Sequence, residues 1–241
     1  MSPLYPEESK KLDVIAHLEE LRKRILISLS FLFLAAIFFF IKGNYVFPIV
    51  VLPAKGLIDE LIFISPTEAF VSYLKVSILC GFVLTFPLIL FHVWRYLSPA
   101  FDPRMRKRIV VWLSLSLFLF FAGISFSYFF AFPTALKFLI SFGEKIAVPK
   151  IALGKYISFF GAIILIGGII FEIPVVMGLL GDAGIVKSKT LKTKRHIAAL
   201  GIMIFAAVIT PTQDIINMLI FAVPMLLLYE VGILIVSRLE K

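Results

Sequence analysis

Charge is scarce in this chain. Only 16% of its 241 residues are Asp, Glu, Lys or Arg, while 61% are hydrophobic; an ordinary globular chain is roughly 25% charged and 45–50% apolar. A water-soluble domain of this length could not cover its core with so few polar residues, so the soluble classes are excluded. Cysteine is scarcer still. Cys80 stands alone, inside an apolar run, which rules out an internal disulfide, and no Cys/His cluster of metal-ligand type accompanies it. Catalytic signatures are missing as well: there is no HExxH, P-loop or GxSxG, and no nucleophile–base pair at depth. The chain reads as a non-enzyme without metal or cofactor. Internal repeats are absent, which weakens an inverted-repeat transporter. A β-barrel would show alternating segments of about 10 residues, and the sequence shows long unbroken apolar runs instead.

Those runs define the fold class: an all-α, polytopic membrane protein forming one domain, 1–241. A span needs about 20 apolar residues to cross roughly 30 Å of hydrocarbon. Six are expected, at about 25–41, 69–97, 109–132, 159–181, 197–209 and 215–235. The last two are short and separated only by "TPTQD"; a re-entrant hairpin is the alternative for this pair. No small-residue cleavage site follows the first run, so it reads as a retained span and not a signal peptide. Six spans put both termini on one side. Of the 24 Lys and Arg residues, 17 fall on that side, which makes it cytoplasmic. The net charge of +9 then reflects orientation and anionic headgroups, with no nucleic-acid partner. The outer connections, 42–68 and 133–158, read as loops, with "FPIVVLPAKGLIDELIF" lying at the interface as an amphipathic cap.

Two places could carry chemistry. In "DVIAHLEELRKR", a helix puts Asp13, His17, Glu20 and Arg24 on one face, and pairs Glu19 with Lys23 and Glu20 with Arg24 at a spacing of four. The stretch is either a basic anchor in the headgroups or a carboxylate site for a cationic ligand. In "GGIIFEIPVVMG", Glu172 lies at the centre of a span. A charge there costs about 2.5–3.5 kcal/mol and normally faces protein or a wet cavity; an uncharged acid is the expectation. Pro174 removes a backbone donor and kinks the helix. Acid and kink together indicate a polar recess, or else a hydrogen bond locking two helices. Glu230 reads as a snorkeller or helix lock, Asp214 as an N-cap, and His92 with Trp94 as an interfacial anchor. His196 reads as a surface residue, and Lys75 as a cation that snorkels outward.

"HLEELRKR", "SPTEAF", "FHVWRYLSPA", "FEIP" and "ITPTQD…FAVPMLLLYEVG" together resemble the TatC family, the signal-peptide receptor subunit of the twin-arginine protein translocase, over almost the whole chain. The resemblance implies a multi-pass protein of the cell inner (plasma) membrane. It also implies binding of twin-arginine signal peptides of folded substrates at the cytoplasmic face. Implied partners are TatA- and TatB-type single-span subunits, other TatC copies and membrane lipid, with the proton-motive force as energy source. The residues it assigns to recognition are Glu20 with Glu19, Arg22 and Arg24 beside it, and Tyr96 ahead of the first inner loop. It places Glu172 and Pro174 on a membrane recess that meets a partner, and Pro53 and Asp214 in the periplasmic cap and final turn. One departure stands out. The family's glutamate before the basic cluster of that loop is replaced by Met105 or Arg106, leaving Asp102 as the nearby acid; Arg104, Arg106, Lys107 and Arg108 would repel a dication. The competing function is a proton-coupled small-solute transporter using Glu172.

Overall fold

The computed structural model describes residues 6–58, 60–97, 103–143, 148–209 and 215–240. Ten α-helices are described: α1 Pro6–Ile41, α2 Gly43–Val51, α3 Pro66–Leu97, α4 Pro103–Phe126, α5 Phe132–Gly143, α6 Leu153–Ile170, α7 Ile173–Asp182, α8 Ser188–Thr193, α9 Arg195–Ile209 and α10 Ile215–Leu239. Two-residue strands β1 (Leu61–Ile62) and β2 (Ile151–Ala152) pair in parallel. A helix occupies each of the six expected spans. Five helical stretches among the described residues are long and apolar enough to cross a membrane, while Arg195–Val208 is shorter. At 15 residues, α9 rises only about 22 Å.

Several boundaries differ from the expectation. The apolar run at 25–41 is the end of a 36-residue helix that starts at Pro6. The third span does not stop at 132. A single π turn, Ser127–Ala131, carries it into α5, with the Phe132 amide bonded to the Ser127 carbonyl. Pro133 explains the turn: it can offer no N–H to the preceding turn, and a π turn absorbs the mismatch without ending the helix. The stretch 133–158 therefore begins as helix instead of loop. The fourth span starts earlier, at Leu153, and breaks between α6 and α7. There the Phe171 amide still reaches Gly167, but Glu172 donates only to Ile169. Pro174 follows, leaving the Ile170 carbonyl without the donor a regular helix would supply.

Helix α1 packs along α3; α3 and α4 pack on α6; α10 packs on α7 and α9. Tyr156, Phe120, Phe132, Ile157 and Ile163 are fully buried at the centre, whereas Phe33, Leu34, Phe118, Val208 and Leu234 point outward. In water such a surface would aggregate; in a bilayer it is the lipid face. Helices α4 and α6 touch at Gly123 and Gly167, where a Cβ on Gly123 would strike the Gly167 carbonyl. Small residues at a crossing let two backbones touch without side chains between them.

The end holding α2, the 3-10 turn Leu52–Ala54 and the β1–β2 pair forms a cap. Pro53 leaves the Ile49 carbonyl without its helical donor, and the Tyr128 hydroxyl donates to it at 2.6 Å. The Tyr156 hydroxyl donates to Val50 O at 2.8 Å. Gly56, at φ 84°, turns the chain back so that Leu57 N and Ile58 N both donate to Ala54 O. Only glycine takes that conformation without strain.

Candidate functional site

The end opposite the cap carries the ends of α1 and α3 that were expected to hold recognition residues. Glu20 and Arg24 sit one turn apart on α1, and Arg24 Nε donates to Glu20 Oε1 at 3.0 Å with Nη2 on the same oxygen. Glu20 Oε2 takes no hydrogen bond among the described residues. One oxygen thus fixes the carboxylate and the other stays available, with the side chain 37% exposed. Next to this pair the His17 ring stacks on Tyr96, centroids 4.3 Å apart and planes 19° from parallel. That contact ties the first third of α1 to the end of α3.

Between these helices lies a groove of about 520 Å³, lined by Glu19, Glu20, Lys23, Arg24, His92 and Arg95. A second, apolar groove of about 400 Å³ lies beside it along the same two helices. Arg24 and His92 border both, and Leu21, Ile25, Leu29 and Val93 line the apolar part. A charged groove and an apolar groove thus meet at Arg24 and His92. Two carboxylates and three cations line the charged groove, so a guanidinium there would meet Glu19, the open oxygen of Glu20, or the Glu20 oxygen that Arg24 now holds. Charge-assisted, bidentate pairing of guanidinium with carboxylate suits that exchange.

The structure brings together Glu19, Glu20, Arg24 and Tyr96, but not Arg22, which is exposed and does not line the groove. Asp102 and Asp214 lie outside the described residues. Arg108, counted among the repelling cluster, is paired: its Nη1 lies 2.8 Å from Asp182, which also accepts from Trp112 Nε1 at 3.2 Å. Sequence reasoning missed Asp182, and it missed His92 and Arg95 as groove walls. The signal for these two was their heptad-like position on the last turns of α3, legible only once α1 is known to pack there.

Glu172 sits elsewhere, at the α6–α7 break. Its Oε2 accepts from Ser116 Oγ of α4 at 2.6 Å. Its Oε1 is buried and has no hydrogen-bond partner among the described residues. Ten residues, about 15 Å of helix, separate it from Asp182, which puts it near mid-span. Pro174 is buried behind it. Glu230 pairs with Arg195 at 2.5 Å, locking α9 to α10. Glu68, in the "SPTEAF" stretch, bridges two helix starts: its carboxylate accepts from Ile64 N at 2.8 Å and from Gly154 N at 2.7 Å.

Residues 16–224 match the family described as Sec-independent protein translocase protein (TatC). A TatC protein of Carboxydothermus hydrogenoformans is 39% identical, covering 97% of this chain and 96% of its own. That of Aquifex aeolicus is 35% identical, covering 90% and 91%. A crystal structure of a twin arginine translocase receptor, TatC, superposes with a TM-score of 0.80 at 33% identity, over 93% of this chain and 100% of that one.

Proposed function

The chain belongs to the TatC family of Sec-independent protein translocase proteins, and on that premise we propose that it is the membrane receptor and core subunit of the twin-arginine translocase. It is no enzyme. It takes the signal peptide of a folded substrate at the cytoplasmic face and supports export across the plasma membrane with TatA- and TatB-type single-span subunits and other copies of itself. The observation that carries this reading is the pair of neighbouring grooves between α1 and α3. A signal peptide with paired arginines followed by an apolar segment carries the two chemistries that the neighbouring charged and apolar grooves offer.

In this reading Glu20 receives a guanidinium, Glu19 adds negative charge at the rim, and Arg24 holds the Glu20 carboxylate in place until the ligand arrives. Tyr96 fixes the end of α3 through its stack with His17. Arg22 points to headgroups. With no glutamate ahead of the loop's basic cluster, Glu20 carries most of the recognition, with Asp102 the candidate for a second contact. Glu172 and Pro174 serve a partner helix at mid-span, and Pro53 and Asp214 belong to the outer surface.

The test is retention of a twin-arginine signal peptide by the purified full chain, compared with a twin-lysine version. Lysine cannot form the two-pronged contact, so the twin-arginine peptide should be held and the twin-lysine one largely released. Equal retention of both would reject the receptor reading, as would uptake of a solute into liposomes by this chain alone.

A further inference from the structure

A third groove, of about 490 Å³, runs between α3 and α6 on the lipid-facing side. Its walls are apolar and come from regular stripes on the two helices. On α6 the stripe is Ser158, Ala162, Leu165 and Ile169, spaced by four, three and four; on α3 it is Lys75, Ile78, Leu79 and Phe82. Lys155, one turn outward of Ser158 on α6, is exposed and lines the neighbouring groove against α5, so it stands at the edge of this groove and not in its wall. Lys75 is the cation that lines the groove itself.

Depth gives these lysines a meaning. Trp94, expected as an interfacial anchor, is instead buried in one cluster with Trp112 and Val175, so the exposed Arg95 beside it marks the level of that end of α3. From Lys75 to Arg95 is twenty residues, a rise of about 30 Å, and a bilayer's hydrocarbon is about 30 Å thick. With Arg95 at one headgroup boundary, Lys75 stands at the other. Lys75 Nζ donates to Ser158 Oγ at 2.8 Å, and no carboxylate neutralises it among the described residues. From Ser158 to Ile169 the groove descends about 16 Å, close to the half-thickness of the hydrocarbon.

We propose that this groove binds one acyl chain of an anionic phospholipid from the leaflet opposite Arg95, with the phosphate held by Lys75 and, from the groove's edge, by Lys155. The cations at headgroup depth, the apolar walls and a length of one leaflet all match that one occupant. A partner helix would leave two uncompensated ammonium groups at the mouth of the groove unless it brought acids to that depth.

The experiment reconstitutes the full chain in nanodiscs of equal phosphatidylglycerol and phosphatidylcholine, then counts lipids retained by native mass spectrometry. Wild type should keep one phosphatidylglycerol. Lys75→Gln with Lys155→Gln should lower the retained phosphatidylglycerol-to-phosphatidylcholine ratio by roughly fivefold per lysine. A Cβ at Gly161 meets only Leu79 Cδ2, at 3.8 Å, so Gly161→Leu can fill the groove, and retention should disappear. Twin-arginine peptide binding reports that each variant is folded; if Gly161→Leu fails that check, the lysine pair alone decides. Unchanged preference in the lysine pair overturns the proposal, as does retained lipid in a folded Gly161→Leu. So does a photo-crosslinker at Ala162 that yields only protein adducts in native membranes.

Discussion

At the scale of single residues, two carboxylates do different work because their surroundings differ. Glu20 stands at the membrane surface with one oxygen held by Arg24 and one open. Glu19 lines the same groove but lies about 100° away round α1. Glu20→Ala should therefore weaken twin-arginine peptide binding by about tenfold or more, and Glu19→Ala by clearly less, as titrated with a labelled peptide. Equal losses would remove the distinction between them. Glu172 is the opposite case, a deep acid joined to α4 through Ser116 with its other oxygen unpartnered. A hydrogen bond between membrane helices is worth about 0.6 kcal/mol on average and up to about 1.7. A double-mutant cycle of Ser116→Ala with Glu172→Ala should give a stability coupling in that range. Glu172→Gln, which still accepts from Ser116, should keep most transport, whereas Glu172→Ala should weaken crosslinking to a single-span subunit and reduce transport. If Gln is as damaging as Ala, the acid's proton or charge is required and the recess is not simply a polar surface.

Among elements, two carboxylates hold helix ends that the bilayer does not. Glu68 caps the start of α3 and the Gly154 amide of α6 together. An anion at two helix N-termini satisfies orphan donors and favours both dipoles. Glu68→Ala should loosen both starts at once and lower the unfolding temperature by about 2–4 °C; Glu68→Gln should recover part of it. At the other end α8 is clamped by Glu240, whose carboxylate accepts from the Ser188 hydroxyl and, at 2.7 Å, from the Ser188 amide. Those bonds hold its carboxyl below the ordinary carboxylate range. The stability they lend is complete above the unfolded value, about pH 4.3, and is lost as pH falls through the lower folded value. Amide exchange across 187–194 should accelerate in that acid window and show no such step in Glu240→Gln. The spans were legible because a run of some 20 apolar residues has one physical solution in lipid, and the α6–α7 break was legible because Pro174 leaves a carbonyl free. The cap was not. Leu61 pairs with Ile151, 90 positions further along the chain, and two short apolar stretches carry no mark of such a partnership. Pro133 likewise signalled an end, because nothing in the sequence shows that a π turn will absorb it. In the groove, Glu20 and Arg24 were readable from helical spacing, whereas His92 and Arg95 became walls only when α3 packed on α1.

For the whole molecule, the remaining question is how the short α9 fits a bilayer that the other helices cross with length to spare. Depth can be followed from one helix to the next. Gly181 of α7 packs against Val236 of α10, so these two share a level. Glu230 is six residues further in along α10, about 9 Å, and Arg195, the first residue of α9, is bonded to it there. The start of α9 is thus raised above the basic surface, and its lost length is at this end. Following α10 from Val236 back to Ile215 gives a rise of about 31 Å, which matches the hydrocarbon thickness. On that depth the α9–α10 hairpin is expected to reach the far boundary despite its 15-residue arm, with the Arg195–Glu230 pair lowering the cost of two charges inside the headgroup edge. Single cysteines in a Cys80→Ala background test this placement with a membrane-impermeant thiol reagent. A cysteine at Lys189 or Arg238 should label only from the cytoplasm, and one at Lys55 in the cap only from outside. A cysteine at Asp214, between α9 and α10, should label from the same side as Lys55. Silence at Asp214 from both sides, with Lys55 and Lys189 behaving as stated, would mean that the hairpin turns back inside the bilayer and that only four helical stretches cross it.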